Sequence, residues 1–250
     1  MLCFFNPTEY PFAHPLHPLR DDIGRIELVN AMMRDPLLTI VNAARVSFNK
    51  EVESLSDRDI ELIHYLFEHE HFSTFRHSYF TFVVKAPLFV FRQWWKHQIG
   101  SEWQELEGGG EISIPETNWN EQSGRYTEFK PEFYIPQSLR SQSVTNRQAS
   151  TNDIVEDPIA LEEFKRILGD VYETYQLLLS KGVCREQART ILPQNIYSKC
   201  TWTISLQGLM YFLKLRADAH AQWEIQQYSN SIIELMTPIL QPLLVDFKNS

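Results

Sequence analysis

Three stretches of this chain carry residue types whose spacing suits chemistry on a planar, anionic ligand. The first lies near the C-terminus. Read as one long helix from about Leu206 to Met236, at 3.6 residues per turn, it places Leu209, Phe212, Leu213, Arg216, His220 and Trp223 on one face. Arg216 and His220 then interrupt an apolar stripe. A guanidinium on such a stripe needs a partner. A buried salt bridge, or a stem that snorkels to solvent, would satisfy it structurally. A phosphate or a pyrimidine carbonyl would satisfy it functionally, because the planar fork matches both. The second stretch is Phe91-Arg92-Gln93-Trp94-Trp95-Lys96-His97-Gln98. Arg92 and Lys96 stand four apart and so share a helix side; alone, this reads as a solvated basic face backed by two core tryptophans. The third is Asn120-Glu121-Gln122-Ser123-Gly124-Arg125-Tyr126. Its glycine permits close backbone approach, and Ser, Arg and backbone amides together suit a phosphate, although polar loops with one glycine are common.

Other chemistries find less support. His64, His69, His71 and His77 match no zinc spacing, and no metal is expected. Gly108-Gly109-Gly110 lacks both the preceding strand and the G-x-G-x-x-G frame of a dinucleotide fingerprint. Cys3, Cys184 and Cys200 are odd in number and widely spaced, which argues against a disulfide framework and fits a reducing cytoplasm; none sits beside a convincing base. A net charge of −9 over 250 residues argues against a nucleic-acid binder, so an anionic ligand falls to a local basic cluster. No apolar run approaches a membrane span. The N-terminal stretch to Arg20, with Pro7, Pro11, Pro15 and Pro18, lacks a basic-then-apolar leader and reads as an irregular arm.

The elements that must position these residues follow from periodicity and punctuation. Arg25 to Asn30 and Tyr79 to Lys85 read as strands, as does Thr201 to Ile204. Leu37 to Phe48 reads as a helix. Ser56 with Asp59 forms a capping box ahead of Ile60, Ile63 and Phe67 at helical spacing. Pro87 opens a helix running through Trp94, Trp95 and His97. Asp157 and Pro158 cap and open a helix that runs to Lys181 and stops at Gly182. A short helix near Arg185 to Leu192 ends at Pro193. Gly100 to Asn120 breaks the pattern as a loop, and Pro136 to Glu156 reads as a polar, mobile stretch. Strands alternating with helices predict an α/β (α+β) domain, here a single catalytic domain over residues 1–250.

These segments, in this order, resemble the flavin-dependent thymidylate synthases of the ThyX type along most of the chain. The resemblance runs through Ile40-Val41-Asn42-Ala43-Ala44-Arg45-Val46-Ser47, then His71-Phe72-Ser73-Thr74-Phe75-Arg76-His77, the strand Phe80 to Lys85, and Ala86-Pro87 to Arg92-Gln93-Trp94-Trp95. A signature split into Lys96-His97-Gln98-Ile99-Gly100-Ser101 and Asn120 to Tyr126 follows. Ala188-Arg189-Thr190-Ile191-Leu192-Pro193 and Leu215-Arg216-Ala217-Asp218-Ala219-His220-Ala221-Gln222-Trp223-Glu224 complete it. The resemblance implies a fold with a central mixed sheet packed by long helices. It implies methylation of dUMP to dTMP, with methylenetetrahydrofolate giving the carbon and NADPH reducing a bound FAD. It also implies a homotetramer whose sites form between subunits, and the aromatic content of 13% is compatible with such interfaces.

By that resemblance Gln93, Lys96, Glu121, Gln122, Ser123, Gly124, Arg125 and Arg189 hold the nucleotide. Arg216 matches the catalytic arginine that contacts the pyrimidine and favours ionisation of its ring nitrogen, raising electron density at carbon five. Ser73, Lys96, His97, Gln98, Ile99, Glu121 and His220 match flavin-contacting positions. Ser205, Gln207 and Tyr211 stand where an Asn, an Arg and another Asn often serve the flavin. Lys96 and Gln98 replace the outer arginines of an R-H-R triplet, losing a planar fork and a charge respectively. Residues 102–119 replace a spacer that is usually a single residue. Two rivals follow: a relative that methylates UMP, and a nucleotide-binding homologue without flavin chemistry. The retained Glu121, Arg125 and Arg216 argue against the second.

Overall fold

The computed structural model describes residues 14–31, 35–97, 103–105, 111–113, 118–146 and 149–244. Its centre is a pair of strands far apart in sequence. In β2 (Tyr79–Pro87) the residues Phe80, Phe82, Val84 and Ala86 turn to one face and are buried, the two-residue period of a strand. β8 (Tyr197–Ser205) lies antiparallel to it and sets Ile204, Trp202 and Cys200 opposite Phe80, Phe82 and Val84. β1 (Arg25–Ala31) and β5 (Asn118–Glu121) complete the sheet in the order β1-β2-β8-β5. All three pairings are antiparallel, so the expected mixed sheet is corrected and the architecture is α+β. Alternation of helices and strands along the chain does not encode strand direction; β8 returns late and inserts between two earlier strands.

Helices cover the apolar face. α1 (Pro36–Arg45) starts where Asp35 accepts the amides of Leu37 and Leu38, both at 3.0 Å. A 3-10 turn (Val46–Phe48) continues it. α2 (Asp57–Glu68) opens on the expected box, Asp59 accepting from the Ser56 amide at 2.9 Å and its hydroxyl at 2.6 Å. A second 3-10 segment (Phe72–His77) leads into β2. α3 (Leu88–Trp94) stops short of Lys96, so Arg92 and Lys96 do not share a helix side; both are exposed. α4 (Pro158–Ser180) has the expected Asp157 cap and ends at Gly182, whose φ of 82° suits a residue without a side chain. α5 (Arg185–Ala188) and a 3-10 turn (Arg189–Ile191) reach Pro193.

Three further expectations change. The single helix from Leu206 is two, α6 (Leu206–Arg216) and α7 (Trp223–Leu244). Between them Asp218 accepts from the His220 amide at 2.7 Å, and Gln226 reaches back to the carbonyl of Asp218 at 3.0 Å. An aspartate that bonds its own neighbours' backbone offers the chain an alternative to the helix. His220 and Trp223 therefore leave the Arg216 face, and His220 is exposed. The stretch read as irregular, Pro136 to Glu156, contains an antiparallel hairpin, β6 (Leu139–Gln142) with β7 (Ser150–Val155). Its polar composition hid the Thr151, Ile154 and Val155 that suit a strand. Within the Gly100 to Asn120 loop, β3 (Trp103–Glu105) pairs with β4 (Glu111–Ser113), and β5 joins the main sheet. No helix among the described residues is long and apolar enough to cross a membrane.

The sheet and three helices meet at Trp94, the last residue of α3. Its ring lies 4.8 Å from Phe212 of α6, 5.2 Å from Trp202 of β8 and 5.8 Å from Tyr228 of α7, centroid to centroid. All four side chains are buried. Such aromatic contacts add directional preference to the burial of large apolar areas. Removing the Phe212 ring leaves a cavity the neighbours cannot fill. Phe212→Ala is expected to cost about 3–5 kcal/mol, seen as a lower urea midpoint with an unchanged denaturant slope.

Candidate functional site

The C-terminal ends of α3 and α6 are locked side by side by that aromatic cluster, and their last turns carry the polar groups of interest. Phe212 and Arg216 are four apart on α6, so they share a side. The His97 ring packs edge-on against Phe212 at 5.0 Å. Arg216 donates through Nε to His97 Nε2 at 2.6 Å and through Nη2 to the Gln93 carbonyl at 3.4 Å. Arg216 is half-buried, and burial lowers its pKa from the ordinary value. Among the described residues no carboxylate pairs with it. Among the described residues, then, no ion pair makes Arg216 purely structural, and none of its hydrogen bonds there involves Nη1. Because His97 Nε2 accepts, its proton sits on Nδ1. That Nδ1 is buried and has no partner among the described residues.

The second cluster sits at the end of β5. Glu121 accepts from the Ser198 hydroxyl at 3.0 Å and from the Trp119 indole at 3.2 Å. The Gln122 amide donates to the Lys199 carbonyl at 2.8 Å, so β8 carries the chain into the turn. Inside it, the amides of Tyr126 and Thr127 donate to the Ser123 carbonyl at 3.0 and 3.2 Å. Gly124 is required by packing: a Cβ there would collide with the Phe129 ring and lie 3.0 Å from Arg189 Cδ. Arg189 is thereby set against the Ser123–Arg125 turn. Arg125 is exposed over the Tyr126 ring at 5.5 Å, and Lys96 is exposed. Trp119 links the two clusters, its ring 5.1 Å from Phe91 and 5.7 Å from Trp95.

The residues expected to serve the flavin divide. Ser73 and Gln207 line a cavity of about 790 Å³ together with Arg45, Phe72 and Arg76. Tyr211 stacks edge-on with Phe72 at 5.2 Å. Ser205 is buried, and its hydroxyl caps α6 by accepting from the Gly208 amide at 3.2 Å. That engagement makes Ser205 a structural cap, whatever else it does. His220 is exposed and bonded to Asp218 at 2.9 Å. Gln98 and Ile99 lie outside the described residues. Gln122 lines a separate cavity with Lys199 and Cys200, apart from the one lined by Ser73 and Gln207, and Gln222 and Glu224 line a further one with Arg140.

Comparison with known proteins places this arrangement. The family model described as thymidylate synthase complementing protein matches residues 27–240. The flavin-dependent thymidylate synthase of Thermotoga neapolitana is 43% identical over 214 residues, 86% of each chain. That of Thermus thermophilus is 40% identical over 215 residues, 86% of this chain and 72% of its own. The chain belongs to the flavin-dependent thymidylate synthase family. Among solved structures, the UMP/dUMP methylase PolB from Streptomyces cacaoi bound with 5-Br dUMP is similar at a TM-score of 0.70 and 29% identity, covering 86% of this chain and 90% of that one. The same methylase bound with 5-Br UMP gives 0.69 and 27%.

The polar groups present fit a flavin, the group on which these relatives depend by name. His97 Nδ1 and Gln207 Oε1 are buried polar atoms with no partner among the described residues. Such orphans are costly unless something bonds them, and a flavin ring or its chain brings both acceptors and donors. Sequence reasoning also missed a third group beside Gln93. Gln93 donates to the side chain of Gln222, which donates to Glu224 Oε2 at 2.8 Å. Glu224 Oε1 accepts from Arg140 Nη2 at 2.7 Å and from the Tyr134 hydroxyl at 3.1 Å. The clue was present: Glu224 falls on the same helical stripe as Tyr228, Ser231 and Leu235, all buried, and an acid there needs partners. Ser198 was missed because the strand was started too late.

His97 has a pH signature. Burial, then the nearby Arg216 charge, lowers its pKa from 6.5 to about 4. The unfolded chain binds this proton more readily, so the stability contributed by neutral His97 is complete above about pH 6.5 and is lost as the pH falls through about 4. The fall in melting temperature between pH 7 and pH 4.5 is expected to be smaller in His97→Phe than in the wild type. Equal falls would show that His97 titrates normally.

Proposed function

We propose that this chain reductively methylates dUMP to dTMP, using FAD, methylenetetrahydrofolate and NADPH. The observation that carries the proposal is Arg216: a half-buried guanidinium, oriented by His97 and the Gln93 carbonyl and paired with no carboxylate among the described residues. A cation so placed is poised for a ligand that develops negative charge. Its Nη1 would meet the pyrimidine, where stabilising charge on the ring raises electron density at carbon five. Arg189 and Arg125, set on the Ser123–Arg125 turn, would take the phosphate, with Gln93, Lys96, Gln122 and Gly124 around the sugar and phosphate. Glu121, held by Ser198 and Trp119, would stand between nucleotide and cofactor. His97 and Gln207, with Ser73, would hold the flavin, which supplies the redox chemistry when bound. His220 and Tyr211 would stand near it, and Gln98 and Ile99 follow His97 in the sequence. The chain would act as one catalytic domain and as a homotetramer with sites between subunits.

The family likeness to a methylase bound with both 5-Br dUMP and 5-Br UMP makes UMP the substrate to compare. The deciding assay is release of the carbon-five hydrogen, dependent on FAD and NADPH, with dUMP and UMP run in parallel. Release from dUMP is expected; release from UMP alone would reassign the substrate, and none from either would overturn the proposal. Arg216→Ala is expected to slow turnover by about a hundredfold or more while weakening dUMP binding less. Arg216→Lys should recover only part, because a point charge does not reproduce the fork. An Arg216→Ala protein that melts early yet turns over normally at low temperature would make this arginine structural.

A further inference from the structure

Gln93, Gln222 and Glu224 form a chain of side chains that runs from the site into the core. Its inner end has a fixed polarity. Glu224 is 3% exposed. Burial opposes its charge, but hydrogen bonds from Arg140 and Gln222 and the charge of Arg140 outweigh that and hold the carboxyl below its usual value. As a carboxylate it only accepts. It accepts at Oε1 from Arg140 and Tyr134 and at Oε2 from Gln222. Gln222 must therefore turn its amide nitrogen inward and its oxygen outward. Gln93 faces that oxygen and must in turn give its own nitrogen to it. An amide's orientation is set by such neighbours rather than by its shape. The outer end of the chain is then determined: with Nε2 turned to Gln222, Gln93 Oε1 is the acceptor left over, beside the second Nε2 hydrogen, and it accepts no hydrogen bond among the described residues.

We propose that Glu224 is a positioning residue which, through Gln222, fixes the turn of the Gln93 amide so that its carbonyl oxygen, in place of its NH2 group, is presented to the bound nucleotide. The group recognised is a hydrogen-bond donor of the nucleotide, a ring N–H or a sugar hydroxyl. The inference rests on the reading above that Gln93 touches dUMP. Glu224 itself touches neither nucleotide nor cofactor in this scheme; it acts at two removes. Arg140 and Tyr134 serve a different end, since they fix and neutralise Glu224 without altering which amide atom points outward.

The test compares three variants of the full chain loaded with FAD, reading the dUMP dissociation constant by calorimetry, KM and kcat, and the melting temperature. Glu224→Gln keeps the shape and one oxygen for Arg140 and Tyr134. It opposes an NH2 to the Gln222 nitrogen, so that both glutamines must reverse and Gln93 presents N–H. Gln222→Met, at an exposed position, cuts the chain and leaves Gln93 free to rotate. Each is expected to weaken dUMP binding at least about tenfold, the loss of one well-placed hydrogen bond together with an unfavourable contact, with a matching rise in KM and a smaller change in kcat. Tyr134→Phe is expected to lower the melting temperature while dUMP affinity stays within about twofold of the wild type. Wild-type affinity in Glu224→Gln or Gln222→Met overturns the proposal, as does weakening in Tyr134→Phe equal to theirs, which would make the whole set a structural prop. Should Glu224→Gln fail to fold, Gln222→Met decides alone. A wild-type chain that binds no dUMP overturns the functional reading and the relay together; one that binds it normally isolates the relay's own success or failure.

Discussion

The packing of three aromatic side chains around Trp94 is the constraint on which the rest depends. Two segments that meet there, the end of α3 and the end of α6, are more than a hundred residues apart in sequence, as the 119-residue separation of His97 and Arg216 shows. Their side-by-side arrangement puts a histidine and an arginine within hydrogen-bond distance, where neither charge state is cheap. Burial first, and then the guanidinium beside it, keeps the imidazole neutral and shifts the pKa of His97 down. Apolar packing therefore sets geometry, geometry sets protonation, and protonation leaves one face of Arg216 available. The ring cluster carries its own cost: the Trp94 indole N–H is buried without a partner among the described residues, a penalty of about 1–3 kcal/mol that the surrounding contacts must exceed.

Much of this was legible in the sequence where local chemistry decides. Caps at Asp35, Ser56 and Asp157 and the stop at Gly182 depend on neighbouring residues alone; of these, those at Ser56, Asp157 and Gly182 were read correctly. The alternation of β2 was equally plain. What escaped depends on contacts between distant segments. Strand direction in the sheet is settled by where β8 inserts, which no local pattern announces. The break after Arg216 turns on a competition between Asp218 and the helix, two nearly balanced local options. The hairpin at Leu139–Val155 draws part of its order from Arg140 reaching Glu224 on α7. Motif resemblance singled out Arg216, Gln93 and Gly124 as candidates and ran through Gln222 and Glu224 without giving them a role, because Glu224 and Tyr134 mean nothing until α7 is laid beside the hairpin.

Charge is distributed with similar economy. The chain is acidic overall, at −9, yet Arg125, Arg189 and Arg216 have no carboxylate partner among the described residues, whereas Arg140 and Arg45 are paired with Glu224 and Asp59. Structural arginines are neutralised from within. Those near the Gly124 turn and the α6 terminus have no such neutralisation among the described residues. In a molecule whose general field repels anions, that local imbalance discriminates between surfaces far better than net charge does.

The order β1-β2-β8-β5 leaves β5 at the margin of the sheet. Its attachment comes from lateral pairing to β8, from Asn118 opposite Thr203 to Glu121 opposite Cys200, and not from the chain that leads into it. The sheet, and not the connection from His97, thus fixes where Asn118 to Glu121 lie. In general a connection between two separately held ends lengthens at little cost, since closure entropy grows only with the logarithm of loop length. An edge strand attached in this way keeps its register whatever the length of chain that reaches it, so sequence added ahead of Asn118 would leave the pairing of Glu121 with Cys200 where it is.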